Sequence, residues 1–236
     1  MIAYDRQTVD NPSLIKRLSH RARFGVAVEL LAPQADMTTL DYGTGDALLL
    51  SHLHRAYPQA RYLGYEPVAE MNEQARALLE RTATPAQLLT RRSELQGLRC
   101  ERLSCMEVME HLDQPQLAQA FVDFRALLAP EGRLMISVPV EIGLTALAKN
   151  AVRVATGQAQ ESTSLGTVFA AFLGRTERIP RISRDGYIGS HLGFDYRRLR
   201  ARIAEEGFAI ERQVFAPLSG LGAVLNSQVF WLCRRT

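Results

Sequence analysis

The chain has 236 residues, of which 47% are hydrophobic and 22% are charged, and its formal net charge is +3. This length and composition predict one globular domain with a sizeable core, and they exclude a disordered or fibrous chain. The small net charge gives no reason to expect a nucleic-acid partner, because nonspecific polyanion binding needs a clustered basic face.

The first residues of the chain lack the basic region and apolar core of a secretion signal, and no apolar run reaches the ~20 residues that span a bilayer. The three cysteines, Cys100, Cys105 and Cys233, are odd in number and have no metal-type spacing, so we expect free thiols in a reducing compartment. These observations predict a cytoplasmic protein, either a monomer or a homodimer, for which peripheral membrane contact stays open.

Helical periodicity over 12–32 predicts an N-terminal helix that lies across the sheet edge or caps a ligand cleft, so we interpret 1–35 as a helical cap. From residue 38, short β-prone runs alternate with helical patterns, which favours a mostly parallel sheet covered on both faces. The predicted strands are 38–43, 60–66, 86–90, 101–106, 132–138, 208–215 and 228–233, and the main predicted helices are 46–57, 68–82, 115–128 and 195–206. The fold class is therefore α/β: a single domain over 1–236, a Rossmann-like three-layer α/β/α sandwich whose seven-stranded sheet ends in an antiparallel hairpin.

The alternation stops at an insertion over 141–190, which we interpret as a lid or substrate-recognition element. It contains a helical stretch at 144–154, which either packs on the sheet as a lid, the favoured interpretation, or presents an amphipathic face to a membrane. Its arginines would bind a carboxylate or phosphate of an acceptor, or they form a solvated loop. They are Arg175, Arg178, Arg181 and Arg184.

A glycine-rich turn follows the first predicted strand. Asp41 ends the apolar run, and Gly43, Thr44 and Gly45 lead into a helix-forming segment, so backbone N–H groups of a helix N-terminus face the turn. Glu66 ends the second predicted strand, 23 residues after Gly43, where a fold of this kind places an acceptor for the ribose hydroxyls of a nucleoside. The spacing predicts that Glu66 binds ribose.

Four segments together resemble the class I S-adenosylmethionine-dependent methyltransferases, and the ubiquinone and menaquinone biosynthesis type in particular. They are Leu40 to Gly45, Gly64 to Pro67, Cys105 to Leu112 and Leu127 to Pro139. The resemblance implies that the chain binds S-adenosylmethionine and releases S-adenosylhomocysteine. It implies that Asp41, Gly43, Thr44 and Gly45 hold the methionine end, that Glu66 and Pro67 hold the ribose, that Ser93 or Glu94 contacts adenine, and that Met106 and Glu107 contact the methionine part. Ala47 stands where the family has a third glycine.

The group Glu107, Glu110 and His111 also resembles the magnesium-binding motif of small-RNA 2′-O-methyltransferases and ubiquinone O-methyltransferases, with His191 as a further histidine. Carboxylates three residues apart can face one site, and oxygen ligands suit a hard divalent ion. Many methyltransferases that bind no metal carry a similar pair, so a divalent metal is possible but not expected. A general-base role for His111 or His191 is a further alternative.

The leading hypothesis is thus a methyltransferase that acts on a small-molecule acceptor, acidic or apolar, with oxygen as the favoured atom. A nicotinamide-dependent oxidoreductase is the alternative from another enzyme class, but Leu48 stands where its fingerprint has a third glycine. A noncatalytic relative that binds S-adenosylmethionine is the third hypothesis, since fold does not guarantee activity.

Overall fold

The computed structural model describes residues 14–155, 157, 163–184 and 186–236. The strands are β1 Thr38–Tyr42, β2 Arg61–Tyr65, β3 Ala86–Leu89, β4 Cys100–Met106, β5 Leu128–Pro139, β6 Phe208–Ala216 and β7 Gln228–Arg235. The helices are α1 Leu14–Leu31, α2 Leu48–Ala56, α3 Ala69–Arg81, α4 Gln114–Leu127, α5 Gly143–Ala155, α6 Leu165–Phe172 and α7 Tyr196–Glu205.

All seven strands form one sheet in the order β3-β2-β1-β4-β5-β7-β6. The first five strands in this order are parallel, and β7 runs antiparallel to both β5 and β6. The predicted mostly parallel sheet with a closing antiparallel hairpin is therefore confirmed.

Helices cover both faces of the sheet and create two apolar cores. One core joins α4 and α7 to the sheet through side chains that include Phe121, Phe124 and Ile203. The other joins α1, α2 and α3 to the opposite face through side chains that include Leu31 and Leu53. Successive residues of β5 serve opposite cores, as the period of two in a strand requires. The three-layer α/β/α sandwich is confirmed.

Some elements differ from their predicted bounds. β5 begins at Leu128 rather than at 132, because Leu128 pairs with Cys100 before a register shift, and residues 129–132 lie within this irregularity. The apolar residues 168–172 of the insertion, for which no helix is predicted, belong to helix α6, whose N-cap Ser164 accepts a hydrogen bond from the Thr167 backbone N–H at 3.1 Å. Residues 156 and 158–162, before α6, lie outside the described residues.

The N-terminal helix α1 contacts α2 and the strands β4 to β7, so it packs on a face of the sheet rather than across its edge. The part of the predicted cap over residues 1–13 lies outside the described residues. No helix in the described part of the chain has the length and apolar character needed to cross a bilayer.

Candidate functional site

The loops after β1, β2 and β4 meet at one edge of the sheet. The strand order reverses between β1 and β4, because β2 and β3 lie on one side of β1 while β4 and β5 lie on the other. In open parallel sheets, ligands bind in the crevice at such a switch point, beyond the carboxyl ends of the strands. This edge is therefore where the predicted site residues should converge.

The glycine-rich turn after β1 has a backbone that few side chains permit. Gly43 has φ +75°, and a Cβ atom built there would lie 2.6 Å from Cγ2 of Val108, in the loop after β4. Its N–H donates to the Tyr65 carbonyl oxygen at 2.8 Å, which ties the turn to the end of β2. Ala47 also has a left-handed conformation, with φ 62°, at the N-cap of α2. A glycine in this position would relieve a cost of roughly 1 kcal/mol.

Asp41, near the end of β1, is hydrogen-bonded to the glycine-rich turn. Its carboxylate accepts hydrogen bonds from Thr44 Oγ1 at 2.8 Å and from Ser104 Oγ at 2.7 Å. Burial raises the pKa of Asp41 to about 6, against the two hydroxyl donors, which lower it. Sequence reasoning missed Ser104, although it faces Asp41 in the register of β1 and β4. The Thr44 side chain thus points back to Asp41 and orders the loop.

Glu66 joins the ends of the first two strands. Its Oε2 atom accepts from the Gly45 N–H at 2.9 Å, and its Oε1 atom accepts from the Val68 N–H at 3.0 Å. Burial raises the pKa of Glu66, and the two backbone donors oppose that shift. A carboxylate has about four acceptor positions, so two remain for hydroxyl groups of a ligand. Pro67, which follows, is exposed.

The segment after β3 places Ser93 and Glu94 differently. Ser93 is exposed on a short 3₁₀ helix, Arg92–Leu95, while the Glu94 carboxylate accepts from the backbone N–H groups of Thr90 at 2.9 Å and Arg91 at 2.7 Å. Glu94 is therefore engaged in capping this turn. That engagement leaves Ser93 as the polar side chain of the pair that is open to a ligand.

A polar cluster that sequence reasoning missed connects the end of β1 to α4 and to the segment after β3. The Asp123 carboxylate on α4 accepts from the Tyr42 hydroxyl at 2.9 Å and from Arg92, whose Nε and Nη2 atoms lie at 3.0 and 2.7 Å. Tyr42 also contacts the ring of Tyr65. The cluster connects β1, α4 and the segment after β3, although its members lie far apart in the sequence.

Met106 ends β4, and Glu107 follows it, opposite the glycine-rich turn. Glu107 has φ 58°, and its N–H donates to the Ser137 carbonyl oxygen at 3.0 Å. A non-glycine residue in this conformation costs about 1–3 kcal/mol and is common at functional sites. Burial raises the pKa of Glu107, although the charge of Arg23 on α1 opposes the shift. Both residues therefore lie at the carboxyl end of β4, and their contact with the methionine part stays a prediction.

The side chains of Glu110, His111 and His191 form a cluster in which a carboxylate oxygen faces two imidazole nitrogens. Both Glu110 carboxylate oxygens are fully buried and accept no hydrogen bond from the described residues. Glu110 Oε1 lies 3.9 Å from His111 Nε2 and 3.9 Å from His191 Nδ1, and the Nδ1 atom of His191 likewise has no partner among the described residues. The predicted pairing of His191 with this group is thus present in the structure, although the two segments are distant in the chain.

The protonation states of this cluster follow from its surroundings. His111 Nδ1 donates to the Ile188 carbonyl oxygen at 2.8 Å, so its Nε2 atom carries the lone pair that faces Glu110. Burial lowers the pKa of His111, and burial lowers that of His191 to about 4. Burial also raises the pKa of Glu110 well above its usual range. Both imidazoles are therefore neutral at pH 7.

The same three residues could hold a metal ion, since their ligand atoms lie within 4.8 Å of one another. Two imidazoles and one carboxylate suit a transition metal such as zinc or manganese better than magnesium. Among the described residues, Glu107 lies outside this group of three, and its carboxylate accepts from Ser137 Oγ at 3.5 Å.

The insertion packs over this edge of the sheet through a buried ion cluster. The Glu141 carboxylate binds Lys149 Nζ at 2.9 Å and Arg153 Nη1 at 3.0 Å, both on α5. Burial opposes the ionisation of Glu141, but the two cations outweigh it and lower its pKa to about 2. Of the four predicted arginines, Arg181 lies at the Glu110 cluster, where it donates to the Glu110 carbonyl oxygen. Arg175, Arg178 and Arg184 are exposed.

Several solved structures share this fold at low sequence identity. The PH0226 protein from Pyrococcus horikoshii OT3 aligns with a TM-score of 0.65 and 13% identity over 100% of both chains. Magnesium protoporphyrin IX methyltransferase from Synechocystis PCC 6803, solved with bound S-adenosylhomocysteine, aligns with a TM-score of 0.61 and 13% identity. This alignment covers 98% of this chain and 92% of the Synechocystis chain. An O-methyltransferase family protein from Burkholderia thailandensis aligns with a TM-score of 0.58 and 14% identity over 93% of this chain. The alignment covers 57% of the length of the Burkholderia protein.

The sequence comparison agrees with the fold. No curated protein sequence matches this chain. Residues 14–166, more than half of the chain, match the family described as a methyltransferase domain. The match begins with α1 and includes the glycine-rich turn, Glu66 and the Glu110 segment. The chain therefore belongs to the methyltransferase domain family and has the fold of the class I S-adenosylmethionine-dependent methyltransferases.

Proposed function

We propose that this protein transfers the methyl group of S-adenosylmethionine to an oxygen atom of a small-molecule acceptor. The observation that carries the choice of oxygen is the convergence of His111, His191 and Glu110, in which both Glu110 oxygens and His191 Nδ1 have no hydrogen-bond partner among the described residues. An uncharged hydroxyl must lose its proton during methyl transfer, whereas a neutral amine can attack before it does so. An acceptor cluster at the crevice supplies that function.

The residues around the glycine-rich turn fit the cofactor. Asp41 is a buried carboxyl that can pair with the ammonium group of the methionine part, and Glu66 has acceptor capacity left for two ribose hydroxyls. The left-handed turn at Gly43 leaves backbone without a side chain between these two carboxylates. When bound, the cofactor supplies a sulfonium methyl group that is already activated, so the protein contributes positioning and the exclusion of water.

His191 is the stronger candidate for the base. Its side chain is 29% exposed, against 0% for Glu110, so an acceptor can reach the exposed edge of the ring, while the Nδ1 atom is buried beside Glu110 and has no partner among the described residues. Glu110 lies beside it, and because burial raises the pKa of its carboxyl, Glu110 can take up the proton that the imidazole receives. His111 is held by its hydrogen bond to Ile188 and orients the cluster through its edge contact with the His191 ring.

The remaining features of the proposal come from the sequence. We propose a small-molecule partner and no nucleic acid, since the net charge is small. The cytoplasmic compartment, the monomer or homodimer, and the ubiquinone-type relationship stay predictions. The family membership favours this function over the nicotinamide-dependent oxidoreductase.

The proposal is tested with radiolabelled S-adenosylmethionine and a panel of phenols, catechols, carboxylic acids, thiols and amines. We expect label on oxygen acceptors, and a rate that falls at least 100-fold in His191→Gln with little change in S-adenosylhomocysteine affinity. His52→Gln on α2, where the ring stacks on Phe24, is the matched control and should keep the rate. Methylation of amines alone, or full activity of His191→Gln, would contradict the proposal.

A chelator distinguishes the two uses of the cluster. If His191 is the base, the rate should not change after incubation with EDTA and dialysis. If the rate vanishes and returns with zinc, manganese or magnesium, the three residues hold a metal ion, and the assignment of His191 as a base is wrong. Calorimetric titration with S-adenosylhomocysteine tests the cofactor independently of any acceptor.

A further inference from the structure

Helix α5 has its polar face inside the protein and its apolar face outside. Leu144 and Leu147, with Ala148 and Ala151, are exposed at the spacing of one helical face, and the two leucines are 51% and 44% exposed. A helix on the surface of a globular protein ordinarily has the opposite orientation. These apolar side chains of α5 therefore face away from the protein.

Buried polar contacts hold the helix in this orientation. Lys149 Nζ donates to the Val140 carbonyl oxygen at 3.0 Å and to the Ser227 carbonyl oxygen at 3.1 Å, in addition to its ion pair with Glu141. Asn150 is 1% exposed and donates to the Ala146 carbonyl oxygen at 2.8 Å. Rotation of the helix would separate the buried Glu141 carboxylate from both of its cations. The outward apolar face is thus a fixed feature of the fold.

Two neighbouring segments extend this apolar face. Helix α6 packs on α5 through Ala146, Ala170 and Ala171, and it exposes 93% of Leu165 and 60% of Phe169. The segment 217–225 is attached to α5 by Thr145 Oγ1, which donates to the Ala223 carbonyl oxygen at 3.0 Å. That segment exposes four further apolar side chains, Leu218, Leu221, Val224 and Leu225. We call α5, α6 and 217–225 together the apolar platform.

The charge distribution indicates what covers the platform. In its described residues the only charged side chains are Lys149 and Arg153, which point inward to Glu141. The exposed arginines Arg175 and Arg178 follow directly after α6, and the nearby Glu177 pairs with Arg198. A protein interface of ordinary size has a polar rim and about ten hydrogen bonds. The platform is an apolar surface bordered by arginines. The apolar surface matches the acyl layer of an anionic bilayer, and the arginines match its headgroup layer.

We propose that the apolar platform docks this protein peripherally on a bilayer that contains anionic lipid. Leu165 and Phe169, the most exposed apolar side chains of α6, enter the acyl boundary, and Arg175 and Arg178 contact lipid phosphates. This surface function goes beyond the proposed methyl transfer and does not depend on it.

Vesicle flotation tests the proposal on the full chain. We expect binding to vesicles of phosphatidylcholine with 30% phosphatidylglycerol, and binding at least tenfold weaker to phosphatidylcholine alone. The double variant Leu165→Glu with Phe169→Glu should weaken binding at least tenfold. Val122→Glu is the matched control, because Val122 is a 47% exposed apolar residue on α4 and should leave binding unchanged. Thermal unfolding of each variant verifies that the fold is retained.

Three results would overturn the proposal. Absence of vesicle binding by the wild-type chain would do so, as would equal binding by the platform variant and the control. The third is a wild-type dimer in sedimentation equilibrium that the platform variant converts to a monomer, because the platform would then be an interface with a second copy. A monomer that binds anionic vesicles through Leu165 and Phe169 supports the proposal.

Discussion

The substitution Gly43→Ala tests whether the glycine-rich turn requires its observed backbone. The new methyl group would lie 2.6 Å from Cγ2 and 3.3 Å from Cγ1 of Val108, and the residue would keep φ +75°. The left-handed conformation costs roughly 1–2 kcal/mol for an alanine, and overpacking adds about 1–3 kcal/mol. We therefore expect the free energy of unfolding to fall by about 2–5 kcal/mol, a large share of the stability of an ordinary domain.

Urea denaturation of four proteins separates the two costs. They are the wild type, Gly43→Ala, Val108→Ala and the double variant. In the Val108→Ala background the clash is absent, so Gly43→Ala should cost only the conformational share of roughly 1–2 kcal/mol. Gly25→Ala is the matched control, because Gly25 lies within α1 and a Cβ atom added there would meet nothing within 4 Å. Alanine should stabilise that helix by about 0.5–1 kcal/mol.

The reasoning about the turn has two clear points of failure. If Gly43→Ala changes the free energy of unfolding by less than about 1 kcal/mol, the left-handed conformation is not required. If it costs the same amount with and without the Val108 side chain, the contact between the loops after β1 and β4 does not limit the turn. Either result would remove the steric argument for glycine at this position.

Two further predictions concern the cofactor. Glu66→Gln should weaken S-adenosylhomocysteine binding about 10- to 100-fold in calorimetry, because a charged acceptor is lost. Substitution of the exposed Glu70 by glutamine is the control and should leave the affinity unchanged. Unchanged affinity in Glu66→Gln would contradict the ribose assignment. Asp41 has a pKa raised by burial to about 6, so it must lose a proton to pair with the ligand's ammonium group. The affinity for S-adenosylhomocysteine should therefore rise by up to about tenfold for each unit that the pH increases below pH 6, and it should level off above pH 6. Asp41→Asn should show no such dependence on pH. A flat profile for the wild type would contradict the prediction.

The sequence was sufficient for the fold and for the turn. Alternating periodicities predict the parallel strands and their helices because each element must bury one face, and the structure agrees in strand count and layer order. The distance from Gly43 to Glu66 predicts that they meet, because consecutive parallel strands end at the same edge. Glu66 indeed accepts from the backbone of the turn at Gly45.

Contacts between distant segments could not be predicted from spacing. Ser104 bonds Asp41 across the β1 and β4 register, and Asp123 binds Tyr42 and Arg92 from another helix. A pattern within one segment carries no information on which residue of another element lies opposite to it. The resemblance to known families supplied His191, and the pairing of 187–188 with 111–112 brings it beside His111.

The orientation of α5 shows most directly what only the tertiary structure decided. The sequence by itself determined that residues 144–154 form a helix with one apolar and one polar face, since periodicity depends on the chain alone. It did not determine which face turns inward, because the periodicity is the same in both orientations. The buried Glu141 carboxylate decides this, since it needs both Lys149 and Arg153 beside it, and the leucines of α5 are left on the outside.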